Sequence, residues 1–183
     1  MIETFMGLFA KLFGGKTSVN KDAERLYNAL MKQSRLPQFY GKDQVPDNFD
    51  GRIDVLTFHI APVLKALNGH GENGHLLGQA LFDQMKDDFE IALREEGISD
   101  TGVKKRIKPM ISLFYARVKV YTEALLGDTP KSVLTTSLQG FHPDQMSETF
   151  AERYADYMIQ FSTALERKSL GEIALVDFTF PDL

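Results

Sequence analysis

DTGVKKRIKPMISLFYARVKVYTEAL, from Asp100 to Leu125, is the stretch whose pattern decides the fold. Its apolar residues Val103, Ile107, Met110, Ile111, Phe114, Val118, Tyr121 and Leu125 keep the period of one helical face without a miss. Lys104, Lys108, Ser112, Tyr115 and Lys119 fall on the opposite side at the same spacing. A half-buried strand would alternate every second residue, so the segment is an amphipathic helix, with Asp100 placed to cap it.

The same period extends outward in both directions. Gly97 closes the preceding helix, in which Phe82, Met85, Phe89 and Leu93 face inward while Asp83, Asp87, Glu90 and Arg94 face out. Before it, Gly69-His70-Gly71-Glu72-Asn73-Gly74 matches the dinucleotide pattern G-x-G-x-x-G. That motif needs a strand leading into the turn, and a helix precedes it here, so the segment reads as a helix–helix connection. The preceding helix carries Ile53, Leu56, Ile60, Leu64 and Leu67 on one face, and Pro62 should kink or divide it. Pro37 to Asp50 reads as an ordered loop, and a helix with Ala23, Leu26, Tyr27, Leu30 and Ser34 inward starts at Asn20 and ends at Pro37.

On the C-terminal side, Thr129-Pro130 has the form of a cap and first turn for a short helix through Leu138, which Gly140 ends. A long helix from Asp144 to Lys168 turns Phe150, Tyr154, Tyr157, Met158, Phe161 and Leu165 inward. Ile173 to Phe180 alternates weakly, as a short extended tail would. The fold class is therefore all-α, a single irregular bundle of about six or seven helices over residues 20–183. Residues 1–19 read as a separate amphipathic segment and linker. Gly14-Gly15 ends a stripe that includes Phe5, Phe9, Leu12 and Phe13, and so short a helix needs a surface to lie on. The domain's own core is one such surface; a membrane boundary into which those four side chains dip is the other.

A chain of 183 residues with 43% hydrophobic composition can bury a full core without staples. The absence of Cys excludes disulfides, thiolate nucleophiles and Cys-ligated metal, and a net charge of -4 argues against a protein that coats DNA. The longest run free of charged residues, Ser132 to Pro143, is too short to span a bilayer. The start of the chain carries Glu3 and no basic leader, so the expected location is a bacterial cytoplasm, peripheral on the inner membrane if the N-terminal stripe meets lipid.

Two chemical readings follow from the polar residues. Asp83, Asp87 and Asp88 resemble the aspartate clusters that hold magnesium around a diphosphate, which would make a prenyl-type transferase; a second acidic motif on a facing helix is not apparent. His59, His70, His75 and His142 form no i, i+4 pair, so neither a metal nor a cofactor is expected. The charges are more informative as surfaces. Asp83 to Glu96 holds six acids and two bases, whereas Asp100 to Lys119 holds six bases and one acid. Lys104 and Lys105 sit in a first helical turn, where a cation costs about 0.3–1 kcal/mol against the helix dipole. That placement asks for a partner: the acidic helix next door, lipid phosphate, ribosomal RNA or an acidic client protein.

The central strings carry a resemblance. Arg35-Leu36-Pro37-Gln38-Phe39-Tyr40, Val45-Pro46-Asp47, Asp50-Gly51-Arg52-Ile53-Asp54, His59, Gln79-Ala80-Leu81-Phe82-Asp83, Asp87, Leu93-Arg94-Glu95, Gly97-Ile98, Asp100 and Phe114-Tyr115-x-Arg117 closely resemble, in order and spacing, the ubiquinol–cytochrome c chaperone family. Asn48 stands where that family usually has Thr, and Glu96 where it usually has Met. The resemblance implies a helical, non-enzymatic assembly factor for the respiratory ubiquinol–cytochrome c reductase (complex III) that binds newly made cytochrome b. It further implies a small second assembly factor and contact with a ribosome or inner-membrane surface. On this reading Lys104, Lys105, Lys108, Tyr115 and Lys119 are the expected partner-binding residues, Asp50 caps a helix, and Arg52 either clamps Asp54 or Asp83, the favoured alternative, or contacts the client.

Overall fold

The computed structural model describes the backbone of residues 2–183 and the side chains of residues 18–183. Among the described residues there are seven α-helices: α1 (Ile2–Ser34), α2 (Phe49–Asn68), α3 (Gly71–Glu95), α4 (Asp100–Leu126), α5 (Pro130–Phe141), α6 (Glu148–Glu166) and α7 (Leu170–Ala174). A 3-10 turn spans Pro37–Phe39, and one isolated bridge joins Tyr40 to Val45.

Helix α2 is the axis of the bundle. Every residue from Ile53 to Val63 is buried, because this run is apolar but for Asp54, Thr57 and His59 and is wrapped by α1, α3, α4 and α6. Around it lie two apolar clusters. One joins Leu26 and Leu30 of α1 to Leu56 and Ile60 of α2, Leu81 and Met85 of α3 and Phe161 of α6. The other joins Phe39 and Val45 of the loop to Phe58 of α2, Tyr121 of α4, Leu134 of α5 and Tyr154 of α6. The chain after α7 runs back over the first cluster, where Phe180 meets Phe161 with ring centroids 5.0 Å apart.

Several boundaries differ from the sequence reading. Helix α1 is continuous through Gly14–Val19 and Asn20, so neither a linker nor a cap lies there. Two glycines weaken a helix by roughly 1 kcal/mol each relative to Ala without forbidding it. Phe5, Phe9, Leu12 and Phe13 lie outside the residues whose side chains are described. Pro62 sits inside an undivided α2. The expected six-residue connection shrinks to Gly69-His70, and α3 already includes Glu72, Asn73 and Gly74. Gly74 permits this, since a Cβ there would stand 2.0 Å from the Leu67 carbonyl oxygen. Gly140 lies within α5, and Ser147 caps α6 three residues after the expected start. Ile173 belongs to the short helix α7, so the extended tail begins later than the alternation implied.

Candidate functional site

The family-like strings divide into a buried scaffold and a set of surface residues. In the scaffold, Leu36 and Pro37 start the 3-10 turn that drives Phe39 into the core, edge-on to His59 at 5.0 Å and to Tyr157 at 5.6 Å. The Tyr40 hydroxyl donates to the Ser34 carbonyl, and the Val45 N–H donates to the Phe39 carbonyl, closing the loop on itself. Pro46 then presses against the start of α2. A Cβ at Gly51 would lie 2.0 Å from the Pro46 carbonyl oxygen, so the site admits only glycine without movement.

His59 ties three helices together. Its Nδ1 donates to the Val55 carbonyl at 2.7 Å, because a carbonyl can only accept, and this leaves Nε2 to accept from the Tyr157 hydroxyl at 2.9 Å. The same hydroxyl accepts from Gln33 Nε2 at 3.1 Å, which joins α1 to α6 and α2. Complete burial pushes His59 down to about 4, with the Val55 bond opposing, so the ring is neutral at physiological pH.

A second buried group crosses from α2 to α4. Arg117 Nη2 donates to Asp54 Oδ2 at 3.0 Å, and His142 Nε2 reaches the same oxygen at 3.2 Å. Burial lifts Asp54 to about 6, and Arg117 opposes that rise. Burial lowers His142 to about 4, with the Arg117 charge adding to it. The guanidinium also lies 3.7 Å from the Phe141 ring centroid, so its face is covered by an aromatic as well as its edge by a carboxylate.

This geometry overturns the clamp reading of Arg52. It is exposed and pairs with Asp47 at 2.8 Å, while Arg117, far along the chain, clamps Asp54. Both caps also move by one or two residues. Asn48, not Asp50, accepts from the Gly51 N–H at 2.9 Å, and Ser99, not Asp100, accepts from the Gly102 N–H. Asp50 and Asp100 occupy the first turns instead, where a carboxylate favours the helix dipole. Asp100 accepts from Arg94 across the α3–α4 corner at 3.3 Å.

Asp83 and Asp87 both face solvent, Asp83 accepting from Gln79 at 2.9 Å and Asp87 lying 3.9 Å from Lys86. They point into no closed pocket, and no group of three His, Asp or Glu side chains among the described residues is placed to hold an ion. The geometry does not support the prenyl-type transferase reading.

The remaining surface residues lie on α4. Lys104, Lys105, Arg106 and Lys108 are exposed and make no ion pair within 4.0 Å among the described residues; Lys119 lies 3.8 Å from Glu123. Tyr115 is 53% exposed and stacks on Phe82 of α3 at 5.2 Å, whereas its neighbour Phe114 is buried. Beneath Tyr115 opens a cleft of about 210 Å³ walled by Leu64, Leu67, Gly78, Phe82 and Phe114, with Asn68, His75 and Gln79 on its rim. Leu113 adds a second exposed apolar side chain to the same helix. The sequence reading named the basic stripe and Tyr115 but missed Phe82 as Tyr115's partner, because its helical period assigns Phe82 to the core. Tyr157, Gln33 and His142 were missed as network members, because their partners come from other helices.

Comparisons with known proteins bear on the family and the fold. The family model described as ubiquinol-cytochrome C chaperone matches residues 42–180. The chain is 25% identical over 123 residues to ubiquinol-cytochrome c reductase complex assembly factor 1 of Mus musculus, covering 67% of this chain and 42% of that protein. The Xenopus laevis counterpart is 24% identical over 123 residues, covering 67% of this chain and 62% of that protein. The chain thus spans less than two thirds of these relatives. The crystal structure of the Cbp3 homolog from Brucella abortus shares the fold with a TM-score of 0.80 and 29% identity, over 97% of both chains. With the family model matched across most of its length, the chain belongs to the ubiquinol-cytochrome C chaperone family.

Proposed function

We propose that this protein is a non-catalytic chaperone for assembly of the ubiquinol–cytochrome c reductase, and that it holds newly made cytochrome b before the complex closes around it. The relatives named as assembly factors of that complex support the general role. The observation that carries the finer reading is the α4 face. An exposed tyrosine stacked over an apolar cleft shares one helix with four cations that have no ion-pair partner among the described residues.

Such a face suits a membrane protein segment outside the bilayer. Apolar walls cover exposed aliphatic side chains, and mobile lysines meet the acidic or phosphate groups that flank them. Lys104 and Lys105 oppose their own helix dipole, a cost that binding an anionic partner would reverse. No helix among the described residues is long and apolar enough to cross a membrane.

Co-purification tests it. Tagged protein should retain cytochrome b during detergent extraction, and Lys104→Glu/Lys108→Glu should lose it while keeping wild-type helicity. Retention of cytochrome b by that double variant would overturn the role given to this face.

A further inference from the structure

A second cleft lies away from α4, between the ends of α1, α2 and α3. It measures about 390 Å³, and no residue of α4 lines it. Its floor is apolar, formed by Met31, Ile53, Leu56, Phe89 and Ala92, and Phe49 stands at it 39% exposed. The charges around it are unusual. Arg35 lines it from the turn just after α1, and Glu95 and Glu96 line it from the end of α3. None of these three makes an ion pair among the described residues, although they share one cleft.

The neighbouring charges are engaged. Arg52 is held by Asp47, and Asp88 accepts from the Tyr27 hydroxyl at 2.6 Å. Glu95 and Glu96 sit at the C-terminal end of α3, where the helix dipole disfavours an acid. Arg35 and the two glutamates are therefore available charges of opposite sign over an apolar floor.

From this we propose that the cleft docks a helical segment of a partner protein, with one apolar anchor seated on the floor beside Phe49, a basic side chain on Glu95 and Glu96, and an acidic one on Arg35. The charge complementarity selects this occupant. A uniformly charged segment would meet like charge at one edge, and a purely apolar ligand would leave all three charges unanswered. The surface is independent of the α4 face, so either assignment can fail without the other.

Fluorescent peptides of about four helical turns test it on the full chain. Each carries a central phenylalanine, and the ends are lysine and glutamate, two lysines, two glutamates or two glutamines. The mixed-charge peptide should bind saturably and most tightly. Glu95→Gln/Glu96→Gln should weaken it about two- to fivefold and leave the all-glutamate peptide unweakened, whereas Arg35→Gln should weaken it similarly and leave the all-lysine peptide unweakened. Phe49→Ser should weaken all four, and Lys104→Glu/Lys108→Glu should leave the mixed-charge and all-lysine peptides undiminished, whatever it removes from acidic peptides on the α4 face. Equal affinities for the four peptides, absence of saturable binding, or loss of mixed-charge binding in the α4 variant would overturn the proposal. So would binding of anionic lipid vesicles that depends on Arg35 in place of peptide binding.

Discussion

Helices α2 and α4 pack against each other and are joined by the Asp54–Arg117 pair, yet the molecule uses them in opposite ways. Helix α2 is surrounded from Ile53 to Val63, and the polar groups in that run are satisfied internally: Asp54 by Arg117, Thr57 by the Ile53 carbonyl at 2.8 Å, and His59 by Val55 and Tyr157. Helix α4 buries one side only, and leaves Lys104, Lys105, Lys108 and Tyr115 to solvent. The difference teaches that polar residues in this fold serve two purposes according to their surroundings. Where water is excluded they fix which helices meet; where it is not, their charge remains available to a partner.

The comparison is broken most severely at its shared link. Arg117→Ala leaves Asp54 buried without its cation and should cost about 3–5 kcal/mol in urea unfolding. Replacing both, as Arg117→Met/Asp54→Leu, should restore much of that loss. An equal loss in the double variant would mean that Arg117 acts through packing on Phe141 instead.

A smaller effect should come from pH. His59 titrates lower in the folded chain than in the unfolded one, so its stabilising contribution is complete above about 6.5 and is lost as pH falls toward 4. His142 shifts in the same direction, while Asp54, raised to about 6, opposes both as pH falls through the window below that value. The His59 contribution alone should lower stability by about 2 kcal/mol between pH 7 and pH 5. The urea-midpoint shift between the two values, compared in wild type and His59→Gln, would measure it, the variant showing the smaller shift.

The loop that feeds α2 gives the next effect. Gly51→Ala forces Pro46 and the helix start apart and should cost about 1–3 kcal/mol by thermal unfolding. On α4, by contrast, Tyr115→Ser should cost no more than about 1 kcal/mol, because the ring is half in water and gives up little beyond its stack on Phe82. A large loss there would make Tyr115 a scaffold residue.

How far the sequence reveals this division depends on the range of each interaction. The α4 period and its basic stripe are local, and both faces were legible. The all-round burial of α2 was only half legible: the spacing of Ile53, Leu56 and Ile60 defines one face, while Val55, Phe58 and Ala61 fill the others. Caps were displaced because two capable residues lie close together. Asn48 precedes Asp50 and Ser99 precedes Asp100, and the backbone turn, not the residue type, chooses between them. The Arg52 error is of another kind. Arg52 lies two residues from Asp54 in sequence, but neighbours at that spacing point to different sides of a helix, and only the packing of α4 on α2 brings Arg117 into place. Tyr157 and Gln33 were hidden for the same reason, since the His59 network needs three helices assembled before any of its bonds exists.

Of all these tests, one bears most directly on the claim that α2 holds the fold and α4 holds the client. Cells lacking the gene are complemented with wild-type chain or with Lys104→Glu/Lys108→Glu, and assembled cytochrome b is measured by its reduced-minus-oxidised absorbance at matched chaperone levels. The account predicts that deletion depletes assembled cytochrome b, that wild type restores it, and that the stably folded double variant does not. Normal cytochrome b after deletion, or full restoration by the double variant, would contradict it.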